Sequence, residues 1–268
     1  MEYLIVAVAS FAVSALTLYS GFGLGTLLMP VFALFFPVDA AVAATAVVHG
    51  ANSLFKVAVV GREADRSLII RFGIPAIFAA FAGAAALGLM ANLGSIASYR
   101  IGSHAALVTP LKLVMGLLMV AFAAFELAPS LRKLEFSRKY LVLGGILSGF
   151  FGGLSGHQGA LRSAFLAKVG ISTGAFVGTN AAIGFMVDLA RIATYSFLFL
   201  GGGIGASLEG SAWPLVVTGI GCAFAGVLSG RRFLHRVTME SVQLLTGVML
   251  AAIAIALAAG IIRTPVPF

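Results

Sequence analysis

Apolar runs separated by short basic loops or glycine clusters fill this chain from end to end, and no soluble core could bury them all. They fall at about 3–20, 24–36, 38–60, 72–90, 107–127, 140–152, 157–168, 173–200, 212–230 and 241–262. A helix needs about 20 apolar residues to cross the hydrocarbon of a bilayer. Six runs are long enough: 38–60, 72–90, 107–127, 173–200, 212–230 and 241–262. Those at 24–36, 140–152 and 157–168 are too short to cross alone, and 3–20 lies at the limit. Charged residues make up 10% of the chain, where a soluble domain carries about 25%. Lipid is therefore the solvent for most of the surface. An all-α polytopic membrane protein is expected, because a helix satisfies its own backbone polar groups in lipid.

The formal net charge of +8 is a topology signal, not a nucleic-acid footprint. Ten of the seventeen Lys and Arg residues sit in three short loops. Segment 61–71 holds Arg62, Arg66 and Arg71; segment 132–139 holds Arg132, Lys133, Arg138 and Lys139; segment 231–236 holds Arg231, Arg232 and Arg236. The positive-inside rule assigns all three to the cytoplasm. Counting 3–36 and 140–168 as one span each would put 231–236 on the opposite side. The conflict vanishes if 140–168 enters and leaves on the cytoplasmic side as a re-entrant hairpin, with 3–36 a matching hairpin from outside. Each half then holds one broken or re-entrant helical hairpin plus three transmembrane helices. The expected division is 1–130 as a first membrane repeat, 131–139 as a basic cytoplasmic linker and 140–268 as a second repeat. Three spans per half give the halves opposite orientations, the inverted repeat of secondary transporters. Two straight but broken helices are the alternative. A multi-pass protein of the cell (inner) membrane is expected. The one cysteine, Cys222, lies in an apolar stretch and excludes an internal disulfide or a cysteine metal cluster. No cofactor, metal or nucleic-acid partner is expected. The only early charge is Glu2, so the first apolar run is expected to be retained, not cleaved as a signal.

Irregular backbone at membrane depth is tolerated only where protein buries it or it lines a wet cavity. Two glycine-rich breaks mark such places: Tyr19-Ser-Gly-Phe-Gly-Leu-Gly25 and Phe150-Phe-Gly-Gly-Leu-Ser-Gly-His-Gln-Gly159. Each opens a new half-helix, and a helix N-terminus favours an anion through unpaired N–H groups and the positive end of its dipole. Gly23, Gly25, Gly153, Gly156 and Gly159 would let backbone amides approach a ligand, with Ser20, Thr26, Ser155 and Gln158 as neutral donors. Tight helix packing is the other reading of these glycines. Arg162, just after His157 and Gln158, is a guanidinium suited to an oxyanion, or else a residue snorkelling to the surface beside Lys168.

Thr45, His49, Asn52 and Lys56 recur at spacings of four, three and four, on one face of a helix. His49 and Asn52 are near mid-span, and Lys56 is nearer the basic loop, where it could snorkel. The 173–200 run carries a corresponding stripe of Asn180, Gly184, Asp188, Arg191 and Tyr195. Asp188 and Arg191 at i, i+3 can pair. Ionisable residues at this depth point to function by default, so His49 and Asp188 are expected either to couple protons or to form an ion pair. His49, Asn52, Asn180 and Arg191 join the expected substrate-binding set. Lys112, Glu126 and Arg263 look like interface anchors near helix ends.

Gly21-Phe-Gly-Leu-Gly-Thr-Leu-Leu-Met-Pro30, then Ala43-Ala-Thr-Ala-Val-Val-His49 with Asn52 and Lys56, resemble the first half of sulfite exporter TauE/SafE proteins. Gly153-Leu-Ser-Gly-His-Gln-Gly-Ala-Leu-Arg-Ser163 resembles the second-half signature of that family. The resemblance implies an inner-membrane permease that exports, or sometimes takes up, sulfite, sulfoacetate or related organosulfonates. Combined with the residues above, the expectation is a secondary transporter of small sulfur anions bound near the bilayer midplane between the two breaks. Its partners are then a small anionic substrate and the lipid bilayer, with protons or another ion as coupling partners. A passive anion channel using the same half-helix ends is one alternative. An intramembrane serine protease is another, since Gly153-Leu-Ser-Gly156 fits a G-x-S-G pattern with Ser155 as nucleophile.

Overall fold

The computed structural model describes residues 1–17, 24–101, 104–132, 134, 136–166, 169–200, 212–233 and 239–261. The chain opens with α1 (Glu2–Leu16), α2 (Leu24–Ala33) and α3 (Val38–Val60). Two pieces, α4 (Arg66–Leu68) and α5 (Ile74–Ala91), join through a π-turn at Ile69–Gly73 into one continuous span of 26 residues. A two-stranded antiparallel hairpin follows, β1 (Ala97–Ile101) against β2 (His104–Val108), with Ala97 opposite Val108. Then come α6 (Pro110–Leu127), the short α7 (Pro129–Arg132), α8 (Leu141–Ser155) and α9 (Gly159–Leu166). The last three helices are α10 (Thr173–Leu200), α11 (Ala212–Phe233) and α12 (Met239–Ala258).

Among the described residues, five helices are long and apolar enough to cross a membrane: Val38–Glu63, Arg66–Ala91, Pro110–Leu127, Thr173–Leu198 and Ala212–Gly230. The sixth run forms the 20-residue α12. The run at 107–127 begins helix only at Pro110, where the Thr109 hydroxyl accepts from the Lys112 N–H at 3.2 Å and caps the first turn. Leu107 and Val108 belong instead to the strand pairing that periodicity did not disclose.

The short runs at 140–152 and 157–168 fold as one hairpin, α8 and α9. At about 1.5 Å per residue, neither the 15 residues of α1 or α8 nor the 8 of α9 span the hydrocarbon. Gly156, with φ 81°, ends α8 in the left-handed conformation that glycine adopts without strain. The chain then turns back. Ser148 Oγ donates to the Gln158 carbonyl at 3.0 Å, and the Phe136 ring stacks on Phe165 with centroids 4.2 Å apart. The end of α9 thus returns to the start of α8.

Both α8 and α1 are clasped by a helix from the other half of the chain. Cβ atoms on Gly145, Gly149 and Gly153 would lie 2.3, 2.1 and 2.1 Å from the carbonyl oxygens of Phe72, Ala76 and Ala80. Only glycine permits this backbone approach, and the rising residue numbers show that α5 and α8 run parallel. On the other side, Cβ atoms on Gly226 and Gly230 would meet the Phe11 and Ala15 carbonyls at 2.3 and 2.8 Å. So α1 and α11 also run parallel.

Two further pairs run antiparallel. Gly178 of α10 faces the Val60 carbonyl of α3, while Gly50 faces Asp188. Gly116 of α6 faces Ala254 and Ala258 of α12, while Gly247 faces Glu126 and Leu127. Following these directions, the end of α3, the starts of α4, α8 and α12, and the end of α6 lie at one face of the molecule. Helix ends flanking all three basic segments therefore gather on that face.

Candidate functional site

The site forms where α3, α9 and α10 meet. Apolar spacing on α3 turns His49, Ser53 and Lys56 to one side, and on α10 it turns Val177, Asn180 and Ala181 toward them. These six residues and Arg162 of α9 line a small pocket. Among the described residues, no carboxylate lines it. Arg162 is 2% exposed and Lys56 9%, so neither charge lies in lipid headgroups. Lys56 does not snorkel: its ammonium donates to the Thr17 carbonyl at the end of α1 over a long 3.4 Å. Gly184 makes room here, since a Cβ there would lie 3.3 Å from an Arg162 nitrogen and 3.4 Å from Ser53 Oγ.

Behind the cavity runs one connected polar network. Arg162 Nε donates to Asn180 Oδ1, and its Nη1 donates to Gln158 Oε1 at 2.9 Å. Gln158 Nε2 in turn donates to Asp188 Oδ1 at 3.1 Å. Asp188, fully buried, also accepts from His49 Nδ1 at 2.5 Å and from Arg191 Nε at 3.0 Å. His49 therefore belongs to both the cavity lining and the carboxylate cluster. Among the described residues, the buried Asn180 Nδ2 has no hydrogen-bond partner, and Asn180 faces the cavity. A buried donor left unmade costs about 1–3 kcal/mol unless a ligand or water completes it.

Of the remaining expected residues, Gly25 and Gly156 bring the two breaks into contact: a Cβ at Gly25 would lie 3.0 Å from the Gly156 carbonyl and 3.4 Å from the His49 ring. Thr26 is buried beside them. Ser20 and Gly23 lie outside the described residues, as do Lys168 and Arg263. Three expected residues face elsewhere. Asn52 Oδ1 accepts from Ser14 Oγ at 2.9 Å, tying α3 to α1. Arg191 Nη1 donates to the Gly152 carbonyl at 3.3 Å and Tyr195 to the Gly153 carbonyl. Both bond carbonyls at the C-terminal end of α8, where a cation also complements the dipole; the Gly152 carbonyl additionally accepts the Gly156 N–H at 2.9 Å. Gly153 likewise serves packing on Ala80 and not ligand approach. Thr45 only bonds back to Ala41 within its own helix.

Ser155 and His157 also take structural roles. Ser155, fully buried, donates its hydroxyl to the Phe151 carbonyl at 3.0 Å. His157 Nδ1 lies 3.1 Å from both the Ser155 carbonyl and the Ser155 Oγ; the carbonyl can only accept, so bonding to it puts the proton on that nitrogen. A nitrogen that already donates cannot take a proton from the Ser155 hydroxyl, so the geometry is not that of a nucleophile and its base. Lys112 and Glu126 are each 2% exposed and packed within protein, not set at an interface. Lys112 Nζ donates to the Leu107 carbonyl of the β-hairpin at 3.0 Å. Sequence reasoning missed Ser53, although it sits at i+4 from His49 in the same stripe; a lone serine in an apolar helix gives no other signal.

Neither a curated protein nor a solved structure matches the chain. The family model described as sulfite exporter TauE/SafE matches residues 6–257, nearly the whole length of a chain of stacked apolar helices. That family consists of membrane transporters, not enzymes, and a small anionic substrate and membrane lipid follow as its partners. This multi-pass membrane protein belongs to the sulfite exporter TauE/SafE family.

Proposed function

We propose that the chain is a secondary transporter that carries small sulfur anions, such as sulfite or organosulfonates, across the inner membrane by alternating access. The anion is taken in the cavity between α3, α9 and α10. The observation that carries this reading is a partly open pocket that brings together Arg162, Lys56 and the Asn180 Nδ2, which has no hydrogen-bond partner among the described residues, with no carboxylate among the described lining residues. Charge at this depth is costly, and an entering oxyanion offers both cations charge-assisted acceptors. The basic face formed by the helix ends is the cytoplasmic one by the positive-inside rule.

The two halves, 1–130 and 140–268 about the linker 131–139, are read as inverted repeats. Reciprocal packing supports this: α1 on α11 corresponds to α8 on α5. The α3 and α10 helices, counterparts in such a scheme, pair antiparallel, and so do α6 and α12. A two-fold axis lying in the membrane plane produces that pattern, whereas an axis along the normal would make those counterparts parallel. His49 and Asp188 are the proposed proton-coupling pair, because His49 touches both the cavity and the buried carboxylate.

The test is flux of labelled sulfite and a panel of sulfonates in proteoliposomes. Saturable uptake accelerated by substrate on the far side is expected, and it separates a carrier from a channel. Arg162→Gln removes a charge-assisted contact and should weaken apparent affinity about 10- to 100-fold. Unchanged flux in that variant would move the site away from α9. Absence of flux for every sulfur anion in vesicles holding folded protein would remove the substrate assignment.

A further inference from the structure

We infer that Arg191 marks a second anion position, the counterpart of the pocket at Lys56, which is packed shut in this structure and opens toward the opposite face. The inference rests on the inverted-repeat carrier reading above and deepens it. Helices α2 and α9 begin at Leu24 and Gly159, and α3 and α10 at Val38 and Thr173, so both pairs lie 135 residues apart (24 to 159, 38 to 173). The same step carries one buried contact onto another. Lys56 Nζ donates to the Thr17 carbonyl at 3.4 Å, and Arg191 Nη1 to the Gly152 carbonyl at 3.3 Å, each across 39 residues. In both halves a cation on the long crossing helix thus reaches a carbonyl near the C-terminal end of that half's first short helix, α1 or α8.

The correspondence extends to the pocket walls. Val42 and Ala46 stand where Val177 and Ala181 do, with identical side chains, and Thr45 stands where Asn180 does. The two places differ in packing. Lys56 borders the pocket one turn before Val60, where α3 reaches the basic face. Arg191, Thr45, Val42 and Ala46 are fully buried, farther from that face along both helices. A two-fold axis in the membrane plane exchanges the two environments, so closing the pocket at Lys56 and opening the one at Arg191 is one movement. An oxyanion there would take bonds from the Arg191 guanidinium and the Thr45 hydroxyl. This second position has Leu27 in the place of Arg162 and Asp188 in the place of Ser53. It therefore holds the anion more weakly and suits release.

The experiment measures cysteine labelling from each side of oriented proteoliposomes, in the full chain carrying Cys222→Ala. Ser53→Cys should react with a small impermeant thiol reagent from the side of the basic face. Thr45→Cys, at a position fully buried here, should react from the opposite side. Sulfite at about ten times its apparent Kd should slow each reaction about tenfold by occupancy. Thr45→Cys should need about tenfold more sulfite for the same protection, the worth of one charge-assisted hydrogen bond. Labelling of Thr45→Cys from neither side, or from the same side as Ser53→Cys, would overturn the inference, as would labelling that sulfite leaves unaltered. Ala46→Cys gives the same test where Thr45→Cys fails to fold. Absence of sulfite flux in the Cys222→Ala parent, with two-sided labelling intact, is a separate result that removes the sulfur-anion assignment alone.

Discussion

At the scale of single residues, the polar stripes divide into two jobs that spacing alone does not separate. Lys56, Arg162 and Asn180 face open space, whereas Arg191 and Tyr195 close the carbonyl end of α8. His49 stands on the border, with Asp188 behind it and the cavity before it. Around this pair lie Arg191 on α10, Gln158 just before α9, Arg162 on α9, and Lys56 two turns along α3. If the pair carries a proton during transport, His49→Gln with Asp188→Asn should reduce the pH dependence of flux to that of the substrate's own titration. Measuring initial rates from pH 5 to 8, the range about an ordinary histidine, checks this; an unaltered profile would remove the coupling role. The stripe His49, Asn52, Lys56 was legible as one helical face. That Asn52 turns to Ser14, and that Lys56 turns inward, depends on α1 packing alongside, which no spacing within α3 encodes.

At the scale of elements, glycine decides which helices can touch. The row Gly145, Gly149, Gly153 presents bare backbone to Phe72, Ala76 and Ala80. A side chain at Gly149 must displace the Ala76 carbonyl, whereas Gly221 has open space around it. Gly149→Ala is therefore expected to destabilise the protein by about 1–3 kcal/mol through overpacking, and Gly221→Ala to be neutral or slightly stabilising through helix propensity. Thermal unfolding in detergent, read as loss of monodisperse protein, distinguishes them. The glycine clusters were legible as breaks or packing faces, and both readings hold at different positions. Gly156 makes the turn while Gly153, three residues earlier, makes the contact. Two elements were hidden from periodicity: the β-hairpin, whose pairing is held by backbone bonds between poorly patterned strands, and the π-turn at Ile69–Gly73, which continues a helix without altering its apolar character.

At the scale of the whole molecule, helix directions and loop charges agree. The ends flanking the basic segments gather at one face, and the β-hairpin lies at the other, where the Tyr99 hydroxyl reaches the Ala259 carbonyl near the end of α12. With Cys222 replaced by Ala, single cysteines at Arg62 and Ser137 should react with an impermeant thiol reagent from one side of oriented vesicles, and one at Gly94 from the other. Labelling of Arg62→Cys and Ser137→Cys from opposite sides would refute the arrangement. Chain order adds a matter of timing. Helix α1 packs along α11, which the ribosome makes after nearly everything else. At about 5–20 residues per second, the face of α1 that packs on α11, Ser10 and the Phe11 carbonyl included, waits on the order of ten seconds or more before its partner emerges. During that interval it must be sheltered by the insertion machinery or by early contact with α2 and α3, and a nascent chain stalled before Ala212 would leave it facing lipid.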